Sequence, residues 1–240
     1  MQNCTTDFFI DGQIRLLQPE NGYRISMDPF FLCSHVEPKK DQKILDIGCG
    51  SGIIPILLAR KHPAVHITGV EIQPELARIA RRNAEANQMK DRITILNRDA
   101  RKLTVSDIGG PLDLIVSNPP FKKRNSGRLN PIGQKAVARH EIELTLEDVV
   151  RQSGNLLCAG GTIFLVFPAE RTPEILILME RYRIQPAMIR FVHPRQPDPA
   201  KLVIVSGIQG GAQVLKVVPP LLIYNEQNEW TREVKQMFSS

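Results

Sequence analysis

Short apolar runs alternate with longer stretches of helical character along most of this chain. Lys43–Ile47, Val65–Glu71, Ile93–Asn97, Leu112–Ser117 and Thr162–Phe167 read as strands. Between and after them, Ile53–Lys61, Pro74–Gln88, Leu144–Cys158 and Pro173–Arg181 read as helices. Pro55 and Pro74 are tolerated because they fall in first turns, and Thr145 is placed to cap a helix that opens with Glu147 and Asp148. Strands alternating with helices predict a parallel α/β sheet covered on both faces. Gly160-Gly161 is read as the turn into the strand at Thr162. Two last strands, Ala187–Val192 and Leu202–Gly207, have only the Pro-rich loop His193–Ala200 between them, so they are expected to pair antiparallel. Ahead of all this, Asp7–Leu17 predicts a hairpin around Asp11-Gly12. Asp28 as N-cap and Pro29 at the first position predict a short helix through the apolar stretch Phe30–Val36. The expected organisation is an N-terminal hairpin-and-helix cap over 1–40, one α/β domain over 41–225, and a polar tail over 226–240.

Composition narrows the class. With 240 residues, 42% of them hydrophobic, the chain is long enough for one large α/β core. Its formal charge of +6, from 31 Lys+Arg against 25 Asp+Glu, fits a polyanionic partner without requiring one. Cys4, Cys33, Cys49 and Cys158 form no C-x-x-C pair and are read as reduced thiols, with no disulfide framework and no zinc site. The opening residues MQNCTTDFF lack the basic and apolar regions of a signal peptide, and no apolar run is long enough to span a bilayer. A soluble, cytoplasmic protein is expected.

The candidate chemistry gathers at strand ends. Leu114–Val116 runs into Ser117-Asn118-Pro119-Pro120-Phe121, a strand that stops abruptly because neither proline can donate to a ladder. Asn118 and Phe121 are thereby offered at the carboxyl edge of the sheet, where open α/β sheets bind ligands. Asp46-Ile47-Gly48-Cys49-Gly50-Ser51-Gly52 follows another strand, and its glycines let backbone turn sharply and approach a ligand. The spacing is G-x-G-x-G, not the dinucleotide G-x-G-x-x-G, and taken alone it is weak evidence. Glu71 ends the next strand, where an acid can accept hydrogen bonds from both hydroxyls of a ribose. Asp99-Ala100 follows the third, where Asp99 can accept from an adenine amino group. One strand-end acid is commonplace; three, each after a different strand, converge on one edge.

These residues resemble the class I S-adenosylmethionine-dependent methyltransferases, whose D-x-G-x-G-x-G loop matches Asp46–Gly52. The resemblance implies a Rossmann-like seven-stranded sheet, mostly parallel with an antiparallel last strand. It implies a cofactor site of Asp46, Gly48, Gly50, Gly52, Glu71, Asp99, Ala100 and Asn118, with S-adenosylmethionine as the cofactor. In the amino-methylating branch, the Asn-Pro-Pro-Phe motif handles a planar nitrogen whose lone pair is delocalised. Asn118, Pro119, Pro120 and Phe121 are then the catalytic set. The Asn118 side-chain oxygen and the Pro119 carbonyl accept the two N–H groups, and Phe121 offers a face for a flipped base. Acceptors open to this motif are adenine N6, guanine or cytosine amino groups, and the glutamine amide of release factors. A non-catalytic cofactor- or RNA-binding protein is a further alternative.

The stretch after the motif holds Lys122, Lys123, Arg124, Arg128, Lys135 and Arg139 with no acid before Glu141, and leans toward nucleic acid. Asn21–Pro29, Ala138–Glu143 and His193–Val205 extend the likeness to the bacterial N6-adenine methyltransferases of valine tRNA. That resemblance implies a tRNA substrate, with Arg195, His193 and Lys201 as RNA contacts or plain loop residues. Tyr23 and Arg24 either face substrate or only pack. His140 is read as structural, and His62 and His66 as ordinary positions around a strand.

Overall fold

The computed structural model describes residues 4–20, 24–119 and 144–239. Strands β1 (Cys4–Phe9) and β2 (Ile14–Pro19) form the expected hairpin, closed by Phe9 opposite Ile14. Its turn is longer than an Asp-Gly pair, because Ile10, Asp11 and Gly12 all take positive φ. Helix α1 (Asp28–Cys33) starts one residue off the expected cap: Met27 is the N-cap and Asp28 is already helical, with Pro29 behind it. Then come β3 (Lys43–Ile47), α2 (Ile53–Lys61), β4 (His66–Val70), α3 (Pro74–Ala86), β5 (Ile93–Leu96) and β6 (Leu112–Ser117).

After β6 the described chain resumes with α4 (Leu146–Leu156), β7 (Leu157–Pro168), α5 (Thr172–Arg181), β8 (Ile184–His193) and β9 (Leu202–Gln209). Thr145 caps α4 as expected, its hydroxyl accepting from Asp148 N–H while the Asp148 carboxylate accepts from Thr145 N–H. Gly160-Gly161 does not end an element. β7 begins at Leu157 and runs through both glycines, and the shift is absorbed as an irregularity in its pairing with β6.

Among the described residues the main sheet has nine strands, two more than expected. Its seven long strands lie in the order β8-β9-β7-β6-β3-β4-β5. All neighbouring pairs from β7 to β5 are parallel, and β9 is antiparallel to both β7 and β8. The extra pieces, β10 (Lys216–Val217) and β11 (Leu221–Leu222), both pair with β8. At two residues each, and next to Pro219-Pro220, they are too short for periodicity to register.

Alternation along the strands sends side chains into two cores. Ile44, Ile67, Leu114 and Val116 face α1, α2 and α3; Leu45, Ile47, Ile115 and Leu165 face α4 and α5. Ile10, Ile14 and Leu16 of the hairpin belong to the first of these cores. So does Val234 of α6 (Arg232–Met237), whose start is capped by Thr231. Phe238 then stacks on Phe30, with ring centroids 4.3 Å apart. No described helix is long and apolar enough to cross a membrane.

Gly207 marks where β9 passes closest to its neighbours. A Cβ there would stand 2.6 Å from Ile184 Cγ2 and 3.2 Å from Met179 Sδ, inside a core that cannot give. Gly207→Ala is therefore expected to lower the unfolding free energy by about 1–3 kcal/mol. Urea denaturation followed by circular dichroism checks this, and an unchanged midpoint contradicts the packing described.

Candidate active site at the carboxyl edge of the sheet

From β3 the chain steps outward through β4 to β5, and β6 then returns to the other side of β3. The order reverses between β3 and β6, which leaves a crevice outside their carboxyl ends. The two strands pair in parallel with Asp46 opposite Val116. One residue further, the buried Ser117 hydroxyl donates to the Ile47 carbonyl at 2.6 Å. That bond holds the exit of β6 against the first residues of the glycine loop. Asn118, half-buried, and Pro119, buried, leave the strand at this point. Tyr23, Pro120, Phe121, Lys122, Lys123, Arg124, Arg128, Lys135, Arg139 and His140 lie outside the described residues.

The glycine loop is built from backbone bonds. Gly48 and Cys49 N–H both donate to the Val70 carbonyl, at 2.9 and 3.0 Å. Gly48, Gly50 and Gly52 have φ of +76°, +54° and +86°, a region that disfavours any side chain. Gly50 N–H donates to Glu71 Oε2 at 2.9 Å, and Gln73 N–H donates to Glu71 Oε1 at 2.9 Å. The Glu71 carboxylate thus closes the loop over the end of β4. Asn97 holds the same corner from β5, its Nδ2 donating to the carbonyls of Glu71 and Ile72. Gly69, in β4, has no room for a Cβ beside Cys49 Sγ and Ile95, so its bare backbone makes space for the loop.

Three acids are brought to this edge in three different states. Asp46 is fully buried, and among the described residues neither of its carboxylate oxygens has a hydrogen-bond partner. Burial first, and the Glu71 charge second, push its pKa well above the usual carboxylate range. The same negative neighbours, added to burial, push the Cys49 thiol up. Asp99 is held the other way. Its Oδ1 accepts from Arg101 N–H and Nε, and its Oδ2 from an Arg101 terminal nitrogen at 2.8 Å, which keeps its pKa below the usual range. Ala100, beside it, is buried, and its carbonyl accepts from Gln152 of α4 at 2.6 Å.

Ser117, Asn97 and Gln152 were invisible to sequence reasoning. Each is a short polar residue whose partner is a backbone carbonyl far along the chain. The one available signal was an unexplained polar side chain beside an apolar run. Further along the same edge, Arg195 lies over the Tyr224 ring at 5.4 Å and bonds Asn228, with Asp198 at 3.7 Å. His193 bonds the Asp198 carbonyl at 2.8 Å. Arg24, on the cap, pairs with Asp7 at 2.5 Å. Among the described residues no group of His, Cys, Asp and Glu could hold a metal ion.

A Porphyromonas gingivalis protein named tRNA1(Val) (adenine(37)-N6)-methyltransferase is 38% identical over 60% of this chain. The match spans 56% of that protein's length. An Aeromonas hydrophila protein of the same name is 31% identical, over 76% of this chain and 75% of its own. A release factor glutamine methyltransferase of Chlorobaculum tepidum is 30% identical over 72% of this chain and 61% of its own. The fold is shared with the crystal structure of a predicted O-methyltransferase from Agrobacterium tumefaciens, at 24% identity and a TM-score of 0.72 over 88% of this chain and 95% of that one. The family model of the methyltransferase small domain matches residues 29–182, from α1 through α5 with the glycine loop, Glu71 and Asn118 inside it, and the chain belongs to that family.

Proposed function

We propose that this chain is an S-adenosylmethionine-dependent N-methyltransferase whose acceptor is the N6 amino group of an adenine in tRNA. The observation that carries the reading is the exit of β6: half-buried Asn118 followed by Pro119, locked beside the glycine loop by the Ser117–Ile47 bond. The relatives at 38% and 31% identity supply the acceptor by their names.

The residues present fit the cofactor. Asp46 is a buried carboxyl group with no hydrogen-bond partner among the described residues, and a bound ammonium group would stabilise its charged form. Gly48, Gly50 and Gly52 keep side chains out of the space above the loop, and Glu71 and Asp99 stand past β4 and β5 on the ribose and adenine side. When bound, S-adenosylmethionine supplies an electrophilic methyl group. The chain's own part is to place the acceptor nitrogen. Asn118 Oδ1 and the Pro119 carbonyl accept its two N–H groups, which localises the lone pair and directs it at the methyl. No side chain of tuned acidity is needed for that step.

A second reading, methylation of a glutamine amide in a protein, is favoured by the Chlorobaculum relative. Both acceptors are planar nitrogens bearing two N–H groups, so Asn118 and Pro119 do not separate them. Labelled-methyl transfer does. The purified chain is expected to label adenine in bulk tRNA and leave release factor unlabelled; the reverse pattern selects the glutamine reading. Asn118→Ala should cut turnover by about a hundredfold or more while cofactor affinity changes by less than about threefold, read by calorimetry beside the rate assay. Undiminished turnover sinks the positioning role.

Asp46 gives a pH test. Its folded pKa is raised, so the folded state holds a proton that the unfolded state has released, and this contribution to stability is lost as pH rises through the folded pKa. Asp46→Asn is therefore expected to melt above the wild type, with the gap widening as pH rises from the ordinary carboxylate range toward the raised folded pKa. The same variant should bind S-adenosylhomocysteine more weakly. A gap that stays constant with pH contradicts the assignment.

A further inference from the structure

The side chain of Asn83, on α3, is fully buried, and its amide is used at both ends. Oδ1 accepts from Leu17 N–H at 2.7 Å, while Nδ2 donates to the Leu17 carbonyl at 3.0 Å and to the Ser51 carbonyl at 2.9 Å. One helical turn on, Asn87 repeats the first pattern on Arg15. Its Oδ1 accepts from Arg15 N–H at 3.0 Å, and its Nδ2 donates to the Arg15 carbonyl at 2.7 Å and to the Asn83 carbonyl at 2.7 Å. Four helical residues rise about 6 Å, and two strand residues about 6.6 Å. Amides at 83 and 87 therefore meet alternate residues of β2 and satisfy its outer edge as a neighbouring strand would.

The two asparagines differ in burial, Asn87 being only half-buried, and in reach. Asn83 alone reaches the glycine loop. Ser51, its partner there, lies between Gly50, which donates to Glu71, and Gly52, which takes left-handed backbone. Ala80, one turn before Asn83 on the same helix face, sits against Gly52 so closely that a Cβ on that glycine would be 3.1 Å from the Ala80 Cβ. Thus α3 grips the loop at two points, and the upper one is shared with the hairpin. A shift of β2 that drags the Asn83 amide takes the donor from Ser51, and the Gly50–Glu71 contact is one residue away.

We propose that Asn83 is a positioning residue for the glycine loop, through which docking of the N-terminal hairpin sets cofactor affinity, while Asn87 serves the hairpin alone. This rests on the cofactor reading above. The test compares the wild-type chain with Asn83→Ala and Asn87→Ala by calorimetric titration with S-adenosylhomocysteine, with a melt of each protein. Each variant loses two bonds to the hairpin, Asn83→Ala those to Leu17 and Asn87→Ala those to Arg15, and the melts read what each loss costs in stability. Asn83→Ala should weaken binding about tenfold, and Asn87→Ala by less than about twofold. In the rate assay, Asn83→Ala should raise KM for the cofactor with kcat little changed. Asn83→Ser replaces the alanine variant if that one does not fold. Equal affinities for the two variants overturn the proposal alone. A wild-type chain that does not bind S-adenosylhomocysteine overturns the cofactor reading, and the proposal with it.

Discussion

Parallel pairing between β3 and β6 is the constraint on which the site depends. Each strand ends in backbone that a sheet cannot continue, a run of glycines after one and Pro119 after the other. Asp46 opposite Val116 puts those two ends side by side, and the Ser117 hydroxyl on the Ile47 carbonyl fixes how far each one reaches. A slip of one residue would turn Asp46 and Val116 to the wrong faces and mix the two cores. The surrounding architecture can be seen as what this register requires. Helices cover both faces because the strands are apolar on both, and β9 enters antiparallel between β7 and β8, where no helix is present to cross over.

Charge is handled differently at each strand end. Asp99 is neutralised by its own neighbour Arg101, two residues away, and needs nothing else. Glu71 spends its charge on backbone N–H groups of Gly50 and Gln73, so that it acts as a structural staple of the loop as well as an acceptor. Among the described residues Asp46 has neither device. It lies beside Cys33 and Cys49, whose thiols are pushed up first by burial and then by its charge. A fold that keeps such a group gives up stability at neutral pH, and sites that bind cations or polar ligands are where such costs are commonly found.

The N-terminal hairpin is tied to the same site by polar side chains. Asn83 and Asn87 supply the edge of β2 with the partners a strand would give, and Leu16 and Ile14 lie within the core that β3 helps to build. At the opposite end of the chain, Phe238 stacks on Phe30 and Glu233 pairs with Arg190 at 2.7 Å. Phe9 of the hairpin also packs against Phe30, with ring centroids 5.6 Å apart, so the hairpin and Phe238 converge on α1.

Local chemistry was enough to place most elements. Ile53–Lys61 and Leu112–Ser117 have the bounds their apolar patterns indicate, and Thr145 caps its helix because a capping box is a contact within four residues. The acids at the ends of β3, β4 and β5, and Asn118 after β6, were legible for the same reason: a strand end is a local event. What the sequence could not determine is what is settled by partners distant along it. Gly160-Gly161 reads as a turn, yet pairing with β6 draws both residues into β7. β10 and β11 are strands only because β8 offers them an edge. Asp99 reads as an open acceptor until Arg101 folds back on it, and Asp46 reads as a polar strand end until packing removes its water. Asn83 reads as one more helix residue. Only the tertiary structure joins it to Leu17 and Ser51, 66 and 32 residues away, because a side-chain amide takes its meaning from the backbone groups brought within its reach.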